Sequence, residues 1–383
     1  MKETVYANAR LVLPDRVAHG HLVVRDGVIA EIGAGAVPAG AIDLAGDYLL
    51  PGLVELHTDH VESHLFPRPR VRWNPLAAVM AYDAQIAASG ITTVFDSLRV
   101  WPETRAVGVE GDAGPLAQTL KAAGAAGMLR AEHHVHLRCE VAADGVVADA
   151  QALMEMADVR LISLMDHTPG QRQFLTEAHF RSYYQKKAGI TDAEMDIIVA
   201  ARLEAHHRHA RPNRARLVEI ARARGIKLAS HDDASAAHVA EAVADGIAIA
   251  EFPTTEEAAG ASHKAGIRVL MGAPNLVRGG SHAGNIAAAA LARAGTLDIL
   301  SSDYVPASLL LAAFALPRLV PGIALSEAVA LVSANPARAV GMDDRGALAP
   351  GLRADFIQVA VAGEGAESVP VVRRVWREGE RVA

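Results

Sequence analysis

A chain of 383 residues with 51 % hydrophobic residues can bury a large core and hold one large domain plus a smaller one. Its net charge of −7, with Lys and Arg spread along the chain, and its aromatic content of only 4 % argue against a nucleic-acid surface. The single cysteine, Cys139, rules out an internal disulfide and fits a cytoplasmic protein, the N-terminus lacks a signal-peptide stretch, and no run reaches the ~20 apolar residues of a membrane helix.

The first fifty residues read as β-structure. Residues 5–13, 21–25 and 28–32 are short and rich in β-branched residues, and Asp26-Gly27 marks a hairpin turn. After Pro51-Gly52, apolar strands alternate with Ala-rich helical stretches. Strands are expected at 53–56, 92–95, 128–140, 160–165, 227–230, 248–252, 268–271 and 297–301. Asn74-Pro75 caps and opens a helix that Gly90 closes. Further helices are expected at 116–126, 149–156, 214–224, 235–245, 255–265 and 286–294. Gly225, Gly246, Gly266 and Gly295 stand just past four of them, where a left-handed cap belongs. The tail is β-like again at 355–361 and 369–377.

Eight strands, most followed by a helix, predict a (β/α)8 barrel over residues 51–340. A doubly wound sheet is disfavoured, because no Gly-x-Gly-x-x-Gly turn follows the first barrel strand. Residues 1–50 and 341–383 then pair as a small β-sandwich-like domain. Residues 170–213 are too long for an ordinary βα loop and suggest a lid, with His206, His207 and His209 on a solvated helix face.

Chemistry in such a barrel belongs at the carboxyl ends of its strands. The first strand ends in His57-Thr58-Asp59-His60. Strand alternation puts His57 and Asp59 on one face and turns His60 away. The third strand carries Glu132, His134, His136, Arg138 and Glu140 on one face, a pattern that an amphipathic surface strand would share in its N-terminal half. Later strands end in Asp166-His167, His231-Asp232-Asp233 and Asp303. A single histidine at a strand end is more often a core or capping residue, but four such ends make a site. His57, Asp59, Glu140, His167, His231 and Asp303 would supply two divalent metals, a set suited to Zn2+ and also to Mn2+ or Fe2+. Two metals would activate water, and Asp303 could take its proton.

Other residues suggest anion binding. Arg278-Gly279-Gly280-Ser281-His282 offers a cation and backbone amides, with Gly280 and His282 as contacts. Arg68 and Arg70 stand on a proline-spaced loop after the first strand, and Arg138 and Arg172 lie at or after strand ends.

The run Pro51-Gly52-Leu53-Val54-Glu55-Leu56-His57-Thr58-Asp59 resembles the entry motif of the amidohydrolase superfamily, with Asp59 where the superfamily usually has a second His. The return at 346–355 resembles it too. Further blocks are Ser163 to Phe174, Leu228 to Ala234, Ala250 to Thr255, Val269 to Asn275 and Ile299 to Tyr304. These resemble the branch of the superfamily that serves phosphonate breakdown. The resemblance implies release of pyrophosphate from a triphosphorylated sugar phosphonate, a small-molecule partner, and arginines that hold several negative charges. A homo-oligomer is compatible with it. The alternative is hydrolysis of a cyclic amide or N-acyl small molecule, which needs fewer arginines.

Overall fold

The computed structural model describes residues 2–35, 39–68, 71–101, 113–174, 176–188, 191–281, 284–363, 365 and 368–383. Five strands open the chain: β1 (Glu3–Val12), β2 (Val17–Arg25), β3 (Val28–Gly33), β4 (Ile42–Asp43) and β5 (Tyr48–Pro51). Eight follow: β6 (Leu53–Thr58), β7 (Ile91–Val100), β8 (Glu132–Glu140), β9 (Val159–Met165), β10 (Lys227–His231), β11 (Ile249–Glu251), β12 (Arg268–Gly272) and β13 (Ile299–Ser301). The chain closes with β14 (Phe356–Ala362), β15 (Val369–Arg377) and β16 (Glu380–Arg381).

Strands β6 to β13 pair in sequence order in one sheet. The registers at β6–β7, β8–β9, β9–β10, β10–β11 and β11–β12 are parallel. Thr58 bridges Asp303 in parallel, and the Asp303 N–H donates to the His57 carbonyl at 3.1 Å, which joins the first strand to the end of the last. The expected (β/α)8 barrel is therefore present.

Both chain ends build the second sheet, in the order β16-β15-β14-β5-β1-β2-β3, with β4 beside β1. The hairpin expected at Asp26-Gly27 joins β2 to β3. Three of the scarce aromatics fill this core. Tyr6 stands edge-on to Phe356 at 5.0 Å and to Trp376 at 5.1 Å.

By contact density the chain divides into two compact units. The first comprises Met1–Asp96, Ala122–His134 and Gly272–Ala383, and contains the whole mixed sheet. The second comprises Ser97–Lys121 and Val135–Met271.

Asn74 and the glycines cap where the sequence puts them, while Ser235 and Thr255, expected as first helical residues, prove to be the N-caps of helices that start one residue later. Asn74 accepts from the Ala77 N–H, Ser235 from His238 and Thr255 from Ala258, while Gly225 and Gly246 take left-handed φ of 66° and 69°. Two local readings need correction. Strand β8 starts at Glu132 rather than 128, because the N–H groups of Arg130 and Ala131 donate to Asp83 Oδ1 at 2.9 and 3.0 Å. It is also no surface strand, since His134 to Glu140 are all buried.

The insertion is helical. Helices Glu177–Ala188 and Asp192–Ala205 are followed by a π-helical turn, His206–Ala210, that runs into Arg211–Arg224. Thr191 and Glu194 form a capping box at the start of the second helix. Phe174, Phe180, Met195 and Val199 give the segment a buried cluster of its own.

Candidate active site

In the first unit, β6 carries Glu55, His57 and Thr58, all buried. Glu55 accepts from the His57 N–H at 2.6 Å and from the Ser302 N–H at 2.5 Å. Burial raises its carboxyl to about 7 against the pull of those bonds. The strand ends at Thr58, so alternation does not reach the next two residues. Asp59 is half-buried. His60 precedes the helix Val61–Leu65, with its Nε2 3.1 Å from Gln85 Oε1. Asp303 holds a left-handed φ of 53°.

Beside them lies a buried chain of polar groups. Tyr82 donates to Asp96 Oδ1 at 2.8 Å. The His133 ring meets Asp96 Oδ2 at 2.8 Å through Nδ1 and Asp83 Oδ1 at 3.2 Å through Nε2.

The second unit holds a tighter constellation. At the end of β8, Glu140 accepts from His167 Nδ1 at 2.7 Å and from the His167 N–H at 3.0 Å. At the end of β10, His231 Nδ1 meets Glu251 Oε2 at 3.1 Å, Glu251 being the last residue of β11. An ionised carboxylate only accepts, so each ring is protonated at Nδ1, and Nε2 is the nitrogen able to coordinate. His167, His231 and Asp232 each offer a ligand atom within 4.8 Å of the others. Two imidazoles and a carboxylate with carboxylate-backed rings fit a divalent cation.

Glu251 organises more than His231. Ser163 donates to its Oε2 at 2.6 Å and accepts from His136 Nε2 at 2.5 Å, while Ser97 Oγ meets His136 Nδ1 at 3.1 Å. Asp232 and Phe252, directly after β10 and β11, hold φ of 57° and 52°. Non-glycine residues rarely adopt such angles, and they gather at functional sites.

The expected residues are distributed unevenly. His167 and His231 come together, and Glu140 grips His167 instead of standing apart as a separate ligand. Arg172 is buried, with its guanidinium on Asp233 and, at 2.5 Å, on Glu241, so its planar fork is committed to carboxylates of the fold. The Gly279-Gly280 turn is not an amide cradle. It ends the helix Ala273–Arg278, with the N–H of Gly279 on Leu276 and that of Gly280 on Asn275 at 2.8 Å. Arg138 is buried on β8, and Arg68 and Arg278 are exposed. Arg70 and His282 lie outside the described residues.

Sequence reasoning passed over Asp232 and Glu251, although Asp232 directly follows one apolar strand and Glu251 ends another, as the chosen residues do. It also read His206 as solvated. The π-helical turn instead sets its Nδ1 2.8 Å from Asp166 Oδ2, which holds the ring's pKa up.

The amidohydrolase family model matches residues 84–383. The chain belongs to the amidohydrolase family. Members are metal-dependent enzymes, and the carboxylate-backed histidines give this amidohydrolase groups able to hold a cation. It is 45 % identical, over 98 % of its length and 99 % of the relative's, to alpha-D-ribose 1-methylphosphonate 5-triphosphate diphosphatase of Escherichia coli strain K12. A D-hydantoinase of Rhizobium radiobacter is 35 % identical over 97 residues, which is 24 % of this chain and 20 % of that one. Among solved structures, N-isopropylammelide isopropylaminohydrolase from Burkholderia multivorans ATCC 17616 superposes with a TM-score of 0.65 at 19 % identity, over 100 % of this chain and 98 % of the other. No helix among the described residues is long and apolar enough to cross a membrane.

Proposed function

We propose that this amidohydrolase releases pyrophosphate from α-D-ribose 1-methylphosphonate 5-triphosphate and leaves the 5-phosphate. The observation that carries the reading is the end-to-end match to the Escherichia coli diphosphatase at 45 % identity. The likeness to the hydantoinase, which hydrolysis of a cyclic amide would need, extends over only 24 % of the chain.

We assign His57, Asp59 and Asp303 in the first unit, and His167, His231 and with them Asp232 in the second, as ligands of divalent cations, two in all, Zn2+ by preference with Mn2+ or Fe2+ as alternatives. Each stands at or just after the carboxyl end of a barrel strand. Glu140 and Glu251 act through the imidazoles by fixing Nδ1–H and leaving Nε2 to coordinate. When bound, the cations acidify a water molecule and neutralise phosphate charge.

The chain's own part follows from charge. Asp303 accepts the proton of the attacking water as its oxygen bonds to the α-phosphorus. The bond from that phosphorus to the bridging oxygen breaks, and pyrophosphate leaves with the electron pair. Arg68, Arg138 and Arg278 are the guanidinium candidates for the polyanion, with Arg70 and His282 retained from the sequence pattern. The single buried cysteine, Cys139, suits a cytoplasmic site of action.

The deciding assay compares pyrophosphate release from the ribose methylphosphonate triphosphate with release from ATP and with hydantoin ring opening. Turnover of the sugar phosphonate supports the reading, and faster hydantoin opening overturns it.

A further inference from the structure

The helical insertion of the second unit sets charge beside His167 in a way that the sequence pattern does not reveal. Helix Asp192–Ala205 lays the Arg202 guanidinium over Trp101, with Cζ 4.2 Å from the ring centroid. Such a contact fixes a flexible cation on a rigid plane. Trp101 in turn stacks on His167, with centroids 5.9 Å apart and planes within 10°. One indole therefore contacts both the cation and an imidazole assigned as a metal ligand.

A second cation stands two residues before Trp101 in the chain. Arg99 is the exposed position near the end of β7, which is otherwise buried. The Tyr184 hydroxyl, on helix Glu177–Ala188, feels both guanidiniums. Burial raises its pKa, Arg202 and Arg99 act against that rise, and Glu140 adds to it. Three charged side chains thus act electrostatically on one phenol, and one of them is the carboxylate that orients His167. Aromatic contacts complete the wall. Phe174 lies 6.4 Å from the His167 ring and 5.8 Å from Tyr184, and Phe180 lies 4.7 Å from Tyr184. Such a wall lowers the local dielectric and strengthens any charge-assisted bond made there.

We propose that Arg99 and Arg202, gathered around Trp101 and Tyr184, form the subsite that holds the pyrophosphate end of a triphosphate whose α-phosphate lies at His167. The assignment rests on the diphosphatase reading and adds the residues that tell a triphosphate from its 5-phosphate product. Two guanidiniums match the paired oxygens of a polyphosphate, and Tyr184 supplies a phenolic donor. The product has no distal phosphates and gains nothing from them. The role of the insertion is then to carry Arg202 and Tyr184 to a barrel that supplies Trp101 and Arg99.

The test uses the metal-loaded enzyme and inorganic anions, so binding is read without turnover. Wild type, Arg99→Gln, Arg202→Gln and the control Arg208→Gln are titrated calorimetrically with pyrophosphate and with orthophosphate. Arg208 is exposed on the same helical stretch and pairs with Glu204. The expected result is a pyrophosphate dissociation constant raised about tenfold or more in Arg99→Gln and Arg202→Gln. Orthophosphate binding and metal content stay near wild type, and Arg208→Gln matches wild type throughout. Trp101 fluorescence should respond to pyrophosphate in the wild type, and the response should shrink in Arg202→Gln. Wild-type pyrophosphate binding in both variants, or equal losses for the two anions, overturns the subsite. If Arg202→Gln does not fold, the exposed Arg99→Gln decides by the same criteria. Should the wild type bind pyrophosphate through these arginines yet release none from the sugar triphosphate, the reaction assignment fails and the subsite stands. Should it release pyrophosphate while both variants behave as wild type, the reaction stands and the subsite fails.

Discussion

Glu140 accepts two hydrogen bonds from His167, one from the ring Nδ1 at 2.7 Å and one from the backbone N–H at 3.0 Å. A carboxylate that grips both the ring and the peptide of the same residue fixes its tautomer and its rotamer together. Nε2 is left as the coordinating nitrogen, and its basicity rises.

Glu140→Gln should therefore act through metal affinity. An amide can still accept one bond but cannot supply the charge that favours Nδ1–H. We expect metal affinity to fall about 10–100-fold, with turnover largely restored at raised metal concentration. Chelator competition measures the first and a metal titration of activity the second. Unchanged affinity would remove Glu140 from this role.

A second prediction concerns pH. Burial alone would lower the His133 pKa, but Asp96 and Asp83 together raise it to about 9. A folded-state pKa above the unfolded value near 6.5 means that the native state holds the proton longer. The stabilisation is complete below about pH 6.5 and is lost as pH rises through about 9. Urea midpoints from pH 6 to 9.5 should decline across that window, by about 1 kcal/mol or more in stability. His133→Gln should be less stable at pH 6 and show a flatter profile. Parallel profiles would mean that the imidazolium contributes nothing.

A third prediction tests a backbone constraint. Gly346 has a φ of +83°, and a Cβ there would lie 2.8 Å from the Ser333 carbonyl oxygen and 2.9 Å from Ala334 Cα. Both obstacles are backbone, so no side chain can swing aside. Gly346→Ala should lose about 2 kcal/mol or more, combining left-handed strain with the clash. Thermal melting reads the loss, and an unchanged midpoint contradicts it.

Local chemistry made much of this protein legible. Asn74, Ser235 and Thr255 announce helix starts through side-chain oxygens, and Gly225 and Gly246 announce helix ends. The strand ends point to His167 and His231 for the same reason, since their signals lie within a few residues. What stayed hidden depends on partners far away in sequence. Nothing near Arg172 reveals that Asp233 and Glu241 occupy its guanidinium, and nothing near Arg130 reveals that Asp83 takes its N–H. The Gly279-Gly280 pair fits both an anion cradle and a helix cap, and only the hydrogen bonds to Leu276 and Asn275 separate them. The π-helical turn at His206–Ala210 shifts the helical repeat, so a face assigned by 3.6-residue periodicity is wrong there, and His206 reaches Asp166.

The last prediction isolates the proposed base. Asp303 takes a left-handed φ of 53°, and its N–H is tied to the His57 carbonyl at 3.1 Å, so its backbone is fixed to the first barrel strand whatever its side chain does. Asp303→Asn keeps size and shape while removing the group that receives a proton. The variant should fold, retain most of its metal and lose turnover by about 100-fold or more. Pyrophosphate binding should persist, because the proposed anion subsite does not include Asp303. Metal analysis, melting and a binding titration separate these terms. A variant that loses metal in step with activity would make Asp303 a ligand first, whereas one with full turnover would leave the proton to another carboxylate. Within the first unit, Glu55 could then be tested by the same substitution, since burial already holds its carboxyl near 7.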